Sequence, residues 1–191
     1  PNPTYGCVSL PWLSKVWIVA GGPSAQRFDL DQIREERVIC VNDAIFSFHG
    51  SYPTFAPTLF SIDSSWVQRW RGFLATYPGE KYVALPLETF PECGGIPGVT
   101  YLQSSTEDGF SDDPSVIHGH ESGRGAINLA WLKGAQEIHL IGYDMDPADD
   151  EKWLQWLPRY KTLVSQIAER GVKVLNHNPN SYVDVFEKVD A

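Results

Sequence analysis

The sequence predicts an α/β domain, a mostly parallel sheet with helices on both faces. Three observations predict it. Short, almost continuously apolar runs rich in β-branched residues recur along the chain, as strands buried on both faces require. The clearest are KVWIVA (15–20), VICV (38–41), TLFSI (58–62) and EIHLIG (137–142). Polar or helical stretches separate the runs, so the connections should be right-handed crossovers between parallel strands. Finally, four runs close on a polar cluster: Gly21–Ser24, Asn42-Asp43, Asp63 and Tyr143-Asp144. In open α/β sheets the ligand crevice lies outside those carboxyl ends.

In chain order, residues 1–14 carry three prolines and no period, and read as an irregular lead-in to a single domain over 15–191. The first strand, 15–20, ends in the turn signal Gly21-Gly22-Pro23-Ser24. One or two helical turns follow between Phe28 and Glu36, then the strands 38–41 and 58–62. Ser64-Ser65 can cap a helix from Trp66 to about Tyr77, with Trp66, Trp70, Phe73 and Leu74 on one face. Strands are expected at 81–87 and 99–103, and a polar, acidic loop at 104–121. Ser122-Gly123 opens a helix that Gly134 stops, leading into the strand 137–142. A long amphipathic helix should run from about Asp150 to Arg170, kinked or split by Pro158 and ended by Gly171. The strand 172–175 and a closing helix, 182–189, complete the chain.

Bulk composition narrows the function classes. The chain has 191 residues, a hydrophobic share of 42% and a charged share of 20%, ordinary for a globular protein with a sizeable core. A formal net charge of −9 repels a phosphate backbone, so nucleic acid is not an expected partner. A mononucleotide stays open, because helix-start amides hold phosphate without lysines. No apolar run reaches the roughly 18 residues of a membrane span. Cys7, Cys40 and Cys93 are odd in number and widely spaced, which reads as free thiols in a reducing cytoplasm. Seven tryptophans point to rings lining a cleft or an interface, and a homo-oligomer is left open.

Several segments carry chemistry, each with a plainer reading beside it. The glycines of Gly21-Gly22-Pro23-Ser24 let the backbone approach a ligand and expose its amides, while Ser24 caps or donates to phosphate. The segment is neither G-x-G-x-x-G nor a P-loop, and an ordinary strand-to-helix turn is equally compatible. Asn42 and Asp63 suit base, ribose or metal contacts, or they bond their own backbone as Asx turns do. Ser122-Gly123-Arg124-Gly125 starts a helix that can receive a phosphate, with Arg124 pairing to it, or is simply a cap with glycines for close packing. Gly142-Tyr143-Asp144 ends its strand on the same sheet edge. His118-x-His120 has metal-ligand character but no third ligand by spacing, so no metal site is assigned. Either histidine suits a general base. His139 reads as a satisfied core residue. His177 either reaches the site or sits in a turn.

The ordered combination resembles a known set of proteins. Val-Ala-Gly-Gly-Pro-Ser after the first strand, Val-Asn-Asp after the second and Ser-Ile-Asp after the third resemble the bacterial sialyltransferases of the Campylobacter type. They are similar also to archaeal 6-hydroxymethylpterin pyrophosphokinases and related phage-encoded proteins. The segments 122–130, 134–145 and 178–181 with Phe186 extend the likeness over most of 15–189. The resemblance implies a Rossmann-like sheet that binds a nucleotide or nucleotide-sugar. It implies that Gly22, Ser24 and Asn42 contact the nucleotide, that Ser122 and Gly123 lie by the donor phosphate or sugar, and that Asp144 lies near the acceptor. The transferases place a catalytic histidine after the Gly-x-Asp strand, whereas 144–170 of this chain contains none.

Three functions follow from these residues. The first is a glycosyltransferase using a small-molecule nucleotide-sugar donor, with His118, His120 or His177 as base and Tyr143 and Tyr160 stabilising the departing phosphate. The second is a pyrophosphokinase in which Asp63 and Asp144 hold magnesium. The third is a nucleotide-binding module without chemistry. The first is the leading expectation.

Overall fold

A computed structural model describes residues 5–8, 14–51 and 55–190. Most of the lead-in, 1–4 and 9–13, lies outside the described residues. Nine strands among them form one sheet: β1 (Lys15–Val19), β2 (Val38–Val41), β3 (Thr58–Ser61), β4 (Lys81–Leu85), β5 (Thr100–Ser105), β6 (Val116–His118), β7 (Glu137–Ile141), β8 (Lys173–Asn176) and β9 (Glu187–Lys188). Their order is β6-β5-β4-β3-β2-β1-β7-β8-β9 and every pairing is parallel. The α/β expectation is met.

The apolar runs became strands because both of their faces are covered. On one face Val16, Ile18, Ile39, Val41 and Phe60 pack under α4 (Ser122–Leu132), which crosses β6, β3, β2 and β1. On the other, Val19, Cys40 and Leu59 meet α1 (Ser64–Arg69) and α2 (Arg71–Thr76) through Val67 and Leu74. Each fully buried branched side chain contributes about 1.5–3 kcal/mol, so the sheet centre dominates the stability. A short α3 (Phe90–Cys93) flanks α1. Gly125 lets α4 lie close on β3, since a Cβ there would stand 2.9 Å from the Phe60 ring.

Several element expectations need correction. The 66–77 helix is two helices that meet at Trp70, and its cap is Asp63, whose Oδ1 accepts from the Trp66 amide, not Ser64 or Ser65. The 104–121 loop contains β6, which alternates too briefly to be seen in the sequence. The long helix splits into α5 (Trp153–Tyr160), a 3-10 turn (Lys161–Leu163) and α6 (Val164–Arg170), ending at a left-handed Gly171. Pro158 sits within α5, and the 3-10 turn separates α5 from α6. The closing segment is no helix. Ser181 Oγ caps the Val183 amide and donates to Tyr143 O, which leaves Glu187–Lys188 extended beside β8.

This order creates one topological switch point. From β1 the chain steps outward through β6, then α4 returns it to β7 on the other side of β1. The ligand crevice of an open α/β sheet is expected at that point, outside the carboxyl ends of β1 and its neighbours.

Candidate functional site

The crevice holds a cavity of about 620 Å³. The loops after β1, β2, β3 and β7, the start of α4 and the first turns of α5 wall it. Gly21, Gly22, Pro23, Asn42, Asp63, Ser122, Gly123, Gly142, Tyr143, Asp144 and His120 come together there from five segments of the chain. Ser24, Arg124 and His118 are absent from the lining among the described residues.

The β1 and β7 loops are stitched together. The Gly22 amide donates to Gly142 O at 3.0 Å. Asp144 accepts from the Ser24 hydroxyl (2.7 Å), the Ser24 amide (3.2 Å) and Asn178 Nδ2 (2.9 Å). A Cβ on Gly22 would collide with Asp144 and with Gly142 O, and one on Gly142, at φ 75°, with Ala20 O. The glycines are thus required by loop-to-loop contact. Ser24 spends its donors on Asp144, so the expected Ser24–phosphate contact gives way to a stitch, and the Asp144 carboxylate is held by protein donors.

Asn42 ends β2 with φ 51°, a left-handed conformation uncommon outside glycine, and its Oδ1 is buried without a hydrogen-bond partner. It is an unpaired acceptor on a residue with a left-handed backbone, among the residues that line the cavity. Asp63 caps α1 and accepts from Ser65 Oγ at 2.6 Å, the Asx reading. The Ser122 hydroxyl accepts from the Ile62 amide at 3.1 Å and fixes the start of α4 against β3.

At α4 the structure departs from expectation. Glu121 is the cap: its carboxylate accepts from the Gly123 amide, the Arg124 amide (2.6 Å) and the Tyr160 hydroxyl (2.6 Å). Sequence reasoning favoured Ser122 because glutamate is not a preferred cap. Arg124, 1% exposed, turns away from the cavity and donates Nη2 to Glu107 O and Gly109 O. It anchors the loop before β6. Tyr143 donates to Gly123 O at 2.8 Å, and burial holds the phenols of Tyr143 and Tyr160 well above the ordinary range.

The two loop histidines separate. Asn128, fully buried on α4, accepts from the Ser111 and His118 amides and so seats β6 and the residues after it. His118 lies 3.6 Å from Glu107, off the cavity. His120 lines the cavity, and its Nε2 is buried without a partner. Burial, then the Arg159 and Arg124 charges, lower its pKa, against a backbone bond with Thr106 and the Asp108 charge. His139 is satisfied as expected, between Glu137 (2.6 Å) and His177 (2.7 Å) with Trp17 stacked on it. His177 therefore faces a separate hollow of about 280 Å³.

At the mouth, Trp153 and Trp156 meet edge to face at 5.3 Å, with Lys152 Nζ 4.8 and 5.6 Å over the rings and 2.5 Å from Asp150. Asp43, Asp146 and Asp149 add further carboxylates to the lining. For magnesium the fit is poor: Asp63 Oδ1 and both Asp144 oxygens already accept protein hydrogen bonds. Among the described residues no group of three or more His, Cys, Asp or Glu is placed to hold an ion.

The fold has solved counterparts. The sialyltransferase CstII from Campylobacter jejuni, in complex with the substrate analogue CMP-3FNeuAc, superposes with a TM-score of 0.57 at 15% identity. The match covers 93% of this chain and 86% of that one. The same enzyme with cytidine-5'-monophosphate gives a TM-score of 0.57 at 15% identity, over 93% and 85%. The chain therefore has a sialyltransferase-like fold. No family model matches the sequence, and no curated protein does. No helix among the described residues is long and apolar enough to cross a membrane.

Proposed function

We propose that this chain is a glycosyltransferase that takes a nucleotide-sugar donor, of the CMP-sugar type, in the cavity outside the carboxyl ends of β1, β2, β3 and β7. The observation that carries the reading is His120, a residue of the cavity wall at the carboxyl ends of the strands whose Nε2 is buried without a hydrogen-bond partner. The CMP compounds held by the structural counterparts support the donor class.

The residues divide the work as follows. Asn42 Oδ1 accepts a hydrogen bond from the donor's base or ribose. The glycine turn lets the backbone come close to it. The half-buried Trp153 and Trp156 offer ring faces to the sugar C–H groups at the mouth. His120, kept neutral by its surroundings, takes the proton of the acceptor hydroxyl as that oxygen attacks the anomeric carbon. The bond from that carbon to the phosphate oxygen breaks, and the nucleoside monophosphate leaves with the electron pair. The resemblance places a histidine after the Gly-x-Asp strand. Here the loop before α4 supplies it, about the same cavity. Pyrophosphoryl transfer through a magnesium held by Asp63 and Asp144 is disfavoured, because both side chains are engaged in caps and stitches.

Thermal unfolding against CMP, CDP, UDP, GDP, ATP and CMP-sugars, each with and without magnesium, tests the donor class. A ligand at about 100 times its Kd adds roughly 2.7 kcal/mol, a shift of several degrees. A metal-independent shift with CMP is expected, and CMP release from a CMP-sugar should fall about 10²–10⁴-fold in His120→Ala. A shift that requires ATP with magnesium, or full turnover in His120→Ala, overturns the reading.

A further inference from the structure

The cavity wall holds a second titratable group that the transfer chemistry leaves without a task. Glu121 occupies, with its own carboxylate, the Gly123 and Arg124 amides, the same donors that a ligand anion would meet at the start of α4. The surroundings make that occupancy consequential. Seven carboxylates line the cavity against Lys152, the one lysine or arginine among the described lining residues, and Lys152 is paired with Asp150.

The groups around Glu121 are few. From α5 come the Tyr160 hydroxyl, which donates to it, and Arg159 beyond; from the end of β7 comes Tyr143, bonded to Gly123 O. From α4 itself comes Arg124, whose Nε and Nη1 have no hydrogen-bond partner and which also feels Asp108. His120 precedes it in the loop.

We propose that Glu121 sets the charge this cavity accepts: an anionic ligand group reaches the start of α4 only together with one proton that neutralises Glu121. The inference rests on the nucleotide reading of the cavity. A phosphate and a carboxylate cannot share two amides in a wall already dominated by carboxylates. Protonation removes the competing charge and converts one Glu121 oxygen from acceptor to O–H donor toward the ligand. The proton comes from solvent and returns there when the ligand leaves; no other bond changes. Burial already raises the Glu121 carboxyl above its ordinary range, against the opposing pull of Tyr160, the two amides and Arg124, so the neutral acid is accessible.

Calorimetry of CMP and of cytidine, which lacks the phosphate, decides the matter across pH 6–8 in wild type and Glu121→Gln. The CMP affinity of wild type should fall with pH more steeply than that of Glu121→Gln, by up to about tenfold per unit. Buffers of different ionisation enthalpy should report close to one extra proton taken up per CMP. Cytidine should show neither effect. Parallel CMP profiles in the two proteins overturn the proposal. If neither compound binds either protein, the nucleotide reading fails, and inorganic phosphate then judges Glu121 alone. Greater thermal stabilisation by phosphate at pH 8 in Glu121→Gln, and in Glu121→Ala, upholds the role; equal or absent stabilisation overturns it.

Discussion

At the scale of single residues, two residues that line the cavity carry a polar atom without a partner. Asn42 Oδ1 and His120 Nε2 are both buried and unbonded, and the proposed ligand would complete them. Asn42 was legible in the sequence, because an Asx after a buried strand stands at the crevice. His120 was legible as one of a pair, and only the fold separates it from His118. Glu121 was not legible: its acid looked like part of a polar loop, and the neighbouring serine is the better cap by type. Titration of His120 gives a direct check. Its depressed pKa keeps the imidazole neutral below the usual value near 6.5, so a base at this position stays competent into mild acid. The acid limb of kcat/KM should therefore lie below pH 6.5, with a single-proton slope, and be unaffected by His118→Ala. A limb at or above 6.5 would remove His120 from the role.

At the scale of elements, the polar clusters that close β1 and β7 act on each other before they act on any ligand. Ser24, Asp144 and Asn178 bind three segments into one corner, and the glycines beside them make room for it. The sequence shows the glycine turn and the Gly-x-Asp strand end separately. It cannot show that they face one another, because their separation exceeds 100 residues and depends on α4 returning the chain to β1. The contrast between adjacent glycines tests the point. A Cβ at Gly21 meets nothing within 4 Å, whereas at Gly22 it meets backbone that cannot move aside. Gly22→Ala should lose about 1–3 kcal/mol, as overpacked sites do. Gly21→Ala should stay near wild type. Measured by thermal unfolding, that is a drop of roughly 2–4 °C per kcal/mol for a domain of this length. Equal stability of the two variants would mean that the corner is loose, and the cavity with it.

At the scale of the whole molecule, the buried runs made the parallel sheet readable, since strands covered on both faces need no alternation to be seen. The two short edge strands escaped, β6 with three residues and β9 with two, because pairing with a neighbour rather than their own pattern makes them extended. The same holds for the tail, where a closing helix was expected and Ser181 fixes a turn instead. Net charge is the property that sequence and structure express most directly together. The chain carries −9, and carboxylates crowd the cavity mouth as well. A phosphate-bearing ligand would then be repelled on approach, and on the proposed reading its binding depends on the α4 amides and a neutral Glu121 only at contact range. Salt shortens the repulsion, with a Debye length of about 30 Å at 0.01 M falling to about 10 Å at 0.1 M. The association rate of CMP should consequently rise as sodium chloride increases between those concentrations, while that of cytidine stays level. This is the opposite of the steep loss seen when a protein gathers phosphates with surface lysines and arginines. Stopped-flow tryptophan fluorescence, reading Trp153 and Trp156 at the mouth, measures it. A CMP rate that falls with salt would show that positive charge near α4 already governs the approach, and that Glu121 is neutral before the ligand arrives.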